Sequence, residues 1–153
     1  MSGIKLPSLL AQIAAISIAG VRVVDYDSIP TEILERDCPV LYPKPNELVS
    51  NLTVERETFG LDSNANTKKN VTYDLRYVLA YQKIGAGRNL FESYPDMVDK
   101  IFAVQEAITE LDTTGGVIDI TCAPVTWGVV QDPSGNAFHG CEFSFRVLEF
   151  YEV

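Results

Sequence analysis

Histidine is almost missing from this sequence: His139 is the single one in 153 residues. Cysteine occurs three times, methionine twice and tryptophan once. So few histidines and cysteines leave little room for metal or nucleophilic chemistry. His139 and Cys141 spell His-x-Cys, but a zinc centre would need two more ligands from Cys38, Cys122 or carboxylates. The simpler reading is a strand-end histidine beside a core thiol. A Cys–His nucleophilic pair lacks an accompanying oxyanion loop. A Ser-His-Asp site lacks the Gly-x-Ser-x-Gly elbow, and the acidic residues form no ligand-like cluster. No catalytic residue, metal or cofactor is expected, and the protein is not expected to be an enzyme. The three cysteines are far apart, odd in number and without a Cys-x-x-Cys pattern, so they read as buried free thiols made in a reducing cytosol.

Basic residues are scarce too, with 12 Lys and Arg against 21 Asp and Glu and a formal charge of −9. That balance disfavours nucleic-acid and anionic-membrane surfaces, which need cationic patches. Long apolar runs are lacking. Residues 6–24 come nearest, but Pro7, Ser8, Gln12, Ser17, Gly20 and Arg22 interrupt them, so a short amphipathic helix followed by a strand is expected rather than a membrane span or targeting segment. Gly85-Ala86-Gly87-Arg88 lacks the third glycine of a dinucleotide-binding loop and reads as a strand-to-helix turn. What remains is 46% hydrophobic, enough for one core, and residues 1–153 are read as a single domain.

The clearest pattern lies in residues 71–84. Tyr73, Leu75, Tyr77, Leu79 and Tyr81 share one parity, while Thr72, Asp74, Arg76 and Gln82 take most of the other, as in a long strand with one apolar face. Such a strand needs a long partner, and residues 117–130 and 139–153 are the candidates. Residues 52–59, where Leu52, Val54, Arg56 and Thr58 alternate with Thr53, Glu55, Glu57 and Phe59, lack a cleanly apolar face and are expected to form a partly exposed strand that pairs with 71–84 as a hairpin across the polar loop 60–70. A helix is expected over 7–19, with a short strand at 21–26 and one helical turn near 30–35. Another strand is expected at 38–42, bracketed by prolines as at a sheet edge.

Ser93-Tyr94-Pro95-Asp96 predicts a helix start with Pro95 in the first turn. Met97, Ile101, Val104, Ile108 and Leu111 then draw one apolar stripe, read as a helix packed on a sheet rather than a coiled-coil seam. Residues 117–122 and 125–131 read as a strand broken at Pro124, and Asp132-Pro133-Ser134-Gly135-Asn136 as a turn. In the last strand Cys141, Phe143, Phe145 and Val147 share a parity that Leu148 and Phe150 leave, which predicts a bulge or burial on both faces. The expected fold is α+β: a largely antiparallel sheet of long hairpin strands packed against two helices.

This order resembles the tail terminator (tail completion) proteins of long-tailed bacteriophages, the lambda-like minor tail proteins among them. The resemblance runs over residues 7–19, 21–26, Asp37-Cys38-Pro39-Val40-Leu41-Tyr42, 71–82, 94–111 and 117–153. The closing Phe145-Arg146-Val147-Leu148-Glu149-Phe150-Tyr151-Glu152-Val153 looks like that family's terminal strand. The resemblance implies a virion protein that forms a homo-hexameric ring, caps the tail tube, ends its polymerisation and helps join tail to head. It implies contacts with a tail-tube protein and a head–tail connector, with DNA passing through the ring but no sequence-specific recognition. Assembly would take place in the host cytoplasm. A head–tail joining protein, a tail-tube protein or a sheet-edge binding module would fit the same layout. On this reading the protein contacts fall in the polar loops and turns, at Asp62, Asn64, Lys68, Lys69, Arg88, Asp132, Ser134 and Asn136.

Overall fold

The computed structural model describes residues 5–57, 68–85, 90–111 and 117–152. The elements are α1 (Leu6–Ala14), β1 (Arg22–Val23), β2 (Val40–Pro43), β3 (Val49–Glu57), β4 (Lys68–Lys83), α2 (Leu90–Thr109), β5 (Val117–Cys122), β6 (Trp127–Gln131) and β7 (Ala137–Glu152). One 3-10 turn, Glu35–Asp37, precedes β2.

The sheet is built on β4 and β7, sixteen residues each, paired antiparallel from Lys68 opposite Glu152 to Lys83 opposite Phe138. Neither side of this pair is met by one long strand. Along β4, β2 lies opposite Tyr77–Ala80 and β3 opposite Lys68–Leu75. Along β7, β6 lies opposite Ala137–Cys141 and β5 opposite Phe145–Phe150. Among the described strands, only the two-residue β1, beside β2, runs parallel to its neighbour. This is the expected α+β architecture, and it assigns the long partner of 71–84 to the C-terminal strand. The break at Pro124 separates β5 from β6, with the Ala123 N–H donating to the Ser144 carbonyl between them.

Alternation decides what is buried. Val71, Tyr73, Leu75, Tyr77 and Leu79 of β4 meet Cys141, Phe143, Phe145 and Val147 of β7 on one face, beneath Leu9 and Ile13 of α1 and Met97, Ile101, Val104 and Ile108 of α2. The rings interlock there, with Tyr77 edge-on to Phe145 at 6.4 Å and Phe143 stacked on Phe145 at 5.6 Å. On the second face, Val40, Tyr42, Val78, Ala80 and Phe138 form a smaller cluster with Ile33 from the segment before β2.

Several boundaries differ from the sequence reading. Helix α1 stops at Ala14, because Ile18 bridges Val21 around Gly20, whose φ of +74° makes a turn. The strand at 38–42 is no edge: β1 and β4 flank it. Residues 68–70, assigned to the loop, continue β4, since each finds partners in both β3 and β7. Helix α2 begins at Leu90, so Pro95 lies inside it rather than in its first turn. The Tyr81 hydroxyl donates to Asp96 at 2.6 Å and tethers this early part of the helix to the sheet. Tyr81 itself is the extra residue at the irregularity between Ala80 and Gln82.

The expected bulge near Leu148 is absent, because the β4–β7 register runs unbroken from Gly140 to Glu152. Leu148 and Phe150 therefore belong to the second face, and Glu149 takes the core position. It is 1% exposed and accepts hydrogen bonds from the Tyr73 hydroxyl (2.5 Å) and the Lys5 backbone N–H (2.6 Å). A carboxylate can occupy such a position when hydrogen-bond donors meet it there.

Candidate functional site

Among the residues expected to contact partners, Asp62, Asn64 and Arg88 lie outside the described residues. Lys68 and Lys69 open β4, opposite Glu152 and Tyr151 of β7 and opposite Glu57 and Arg56 of β3. Asp132, Ser134 and Asn136 come together in the β6–β7 turn, and there the geometry is internal. Asp132, only 5% exposed, accepts from the Ser134 N–H (3.0 Å) and Asn136 N–H (2.8 Å) through Oδ1. Through Oδ2 it accepts from the Asn136 side-chain amide (3.0 Å) and from the Ile33 N–H (3.0 Å), ninety-nine residues away. Ser134 donates to the Thr31 carbonyl at 2.6 Å. The turn is thereby stapled to the segment that covers the second face. Burial pushes the Asp132 carboxyl upward, but the donors from Ile33, Asn136 and Ser134 outweigh it and hold the group below the usual aspartate range.

The second face carries polar groups on either side of the β4–β7 seam. Asp74 accepts from Asn51 Nδ2 at 2.7 Å and Arg146 Nε at 3.2 Å. Its burial works against ionisation, and those two hydrogen bonds overcome it, so its carboxyl also lies low. Asn51 adopts a φ of +55° beside the β3 irregularity. Lys44 bridges Glu47 (2.7 Å) and Glu142 (2.8 Å). A depression of about 550 Å³ lies between Arg22, Asp25, Pro30, Glu32, Ile33 and Asp37.

His139 stands opposite Val129 and Gln82, with Cys141 two residues on along the same face. Burial, aided by Cys122 and Glu142, pushes the Cys141 thiol up to about 12. That is the opposite of what a thiolate nucleophile requires. Among the described residues no three His, Cys, Asp or Glu side chains are placed to share a metal ion.

The outer strands carry exposed apolar side chains, as expected for the strand at 52–59 and not anticipated for Trp127 and Val129. On β6, Trp127 and Val129 are 43% and 65% exposed; on β3, Leu52 and Val54 are 56% and 53% exposed. Trp127 packs edge-on against Tyr94 of α2 at 5.5 Å. Among the described residues β3 pairs only with β4, and β6 only with β7, so each has one unpaired backbone edge. The signal in the sequence was Trp127-Gly128-Val129-Val130-Gln131, a strand without a charge. Its exposure emerges only once the strand order is known. No protein-family model matches this chain, and no curated protein matches it.

Proposed function

We propose that this chain is a structural virion protein of a long-tailed bacteriophage, six copies of which close into a ring on the tail tube. The ring ends tube polymerisation and offers a surface to the head connector; it performs no chemistry. The observation that carries this reading is the sheet: two sixteen-residue strands paired along their length apart from the irregularity at Tyr81, with, among the described residues, an unpaired edge on either side of the pair. A subunit with different edges on its two sides associates head to tail, and head-to-tail contacts close into rings when the rotation per subunit permits. The order of elements also supports it, since helix, short strand, Cys38-Pro39-Val40 segment, long hairpin, helix and final hairpin follow the layout on which the resemblance rests. Among the described residues no helix is long and apolar enough to cross a membrane. Electron microscopy of the purified protein mixed with tail tubes tests the proposal. An annulus at one tube end and arrested tube growth are expected; tubes that elongate unchanged and stay bare would refute it.

A second reading, a module that captures a strand of another protein at its sheet edge, is favoured by the uncharged β6. Self-association of the pure protein separates the two, because a capture module has no need of its own copies.

A further inference from the structure

Natural sheets blunt their open edges with charges, prolines, bulges or very short strands. Of the outer strands here, β1 has two residues, β5 carries the exposed Asp119, and β3 carries an irregularity between Ser50 and Thr53 followed by Glu55. Strand β6 has no charged or proline residue and no register irregularity. Beside Gly128 there is open space where a side chain would stand. This edge is built to be covered.

The strand that matches it is on the other side of the same molecule. Trp127 lies opposite Cys141, and Val54 opposite Val71; both partners belong to the helix-side core. Val129, opposite His139, lies on that face by alternation, and Leu52 sits in the irregularity opposite Tyr73, whose side chain belongs to the same core. Each edge therefore offers two exposed apolar side chains, two residues apart, on the helix side. The directions also fit. Strand β3 opposes β4, β4 opposes β7 and β7 opposes β6, so β3 and β6 run oppositely. A second copy moved sideways in the sheet plane and shifted along the strands, so that its Thr53 (level with Leu148) comes beside Gly128 (level with Gly140), brings its β3 antiparallel to β6, with both helix faces on one side. Only one antiparallel register sets both pairs opposite each other: Trp127 against Val54, Gly128 against Thr53 and Val129 against Leu52.

We infer that the β6 edge of one copy pairs with the β3 edge of the next, forming a continuous antiparallel sheet sealed by Trp127, Val129, Leu52 and Val54. A two-fold β6–β6 contact would leave Leu52 and Val54 uncovered, whereas the head-to-tail contact covers both patches at once. This assignment rests on the proposal that copies of the chain assemble, and it names the surfaces that meet.

Sedimentation velocity of the full chain tests it with V54K and V129K, both at exposed positions, with circular dichroism confirming the fold. Each variant alone should weaken association at least about tenfold. An equimolar mixture should give a heterodimer and nothing larger, since each variant keeps one intact edge. The double variant L52E/V129K should regain assembly, because opposite charges then face each other across every contact. V54K assembling like the unaltered protein would overturn the pairing in favour of a β6–β6 contact. Rings that persist in both single variants would overturn the edge assignment while leaving the ring itself standing. An unaltered protein that stays monomeric up to about 1 mM would overturn the pairing, and bare tubes in the microscopy above would overturn the ring.

Discussion

Replacing Asp132 with alanine removes four accepted hydrogen bonds in one step, and the structure indicates which of them matter. The Ile33 N–H is buried, so losing its partner leaves an unsatisfied donor that costs roughly 1–3 kcal/mol. The Ser134 and Asn136 donors are partly exposed and recover some hydration, so each costs at most about 1 kcal/mol. With half to all of that for each of the three, the sum is roughly 2.5–6 kcal/mol, or a melting temperature lower by about 5–24 °C for a chain of this size. D132N, which keeps one acceptor oxygen and turns a donor toward the rest, should lose about 2 kcal/mol. The pH dependence follows from the direction of the shift. A carboxyl held below its ordinary 3.8 contributes stability that is fully present above that value and is lost as pH falls through its folded-state value. The gap between the unaltered protein and D132N should therefore be constant near neutrality and shrink in acid. Urea unfolding at several pH values measures it. An alanine variant within about 1 kcal/mol of the unaltered protein, or a D132N gap that ignores pH, would refute the staple.

Gly140 faces the backbone of β4, and a Cβ placed on it would lie 1.8 Å from the Leu79 carbonyl oxygen. G140A should thus force the two central strands apart and cost about 3 kcal/mol by chemical denaturation. F145A, which empties a fully buried site between Tyr77 and Phe143, should cost about 3–5 kcal/mol by the same assay. A variant retaining only Cys141 should resist a thiol reagent at about pH 8 while folded and react at once in denaturant, because burial keeps that thiol protonated. With −9 on every subunit, self-association should strengthen between about 0.01 M and 0.15 M salt, as the screening length falls from roughly 30 Å to 8 Å; light scattering reads this directly.

The alternation over Tyr73–Tyr81 and the Met97–Ile108 stripe were legible because burial on one face imposes a period on the sequence. The 132–136 turn was legible from its turn-forming residues. Glu149 was not, because a parity rule expects an apolar residue there, and the Tyr73 hydroxyl that receives it is seventy-six residues away. The early start of α2 was hidden because Pro95 and Asp96 read as a first turn. The exposed residues of β6 were hidden for a different reason. Trp127 and Val129 are chemically ordinary strand residues, and only the order of strands places them outermost, whereas the uneven alternation of 52–59 already pointed to the exposure of Leu52 and Val54. Asp132, Ser134 and Asn136 were chosen as polar turn residues facing partners, yet their hydrogen bonds hold the chain to itself.

The proposed ring is tested most directly by the mass and shape of the intact protein, measured by native mass spectrometry and negative-stain microscopy on one sample. Six subunits of 16.9 kDa give a species near ~100 kDa and an annulus with six-fold symmetry. A stable two-fold dimer with no larger species would contradict the account, because its edges would then close on themselves rather than run head to tail.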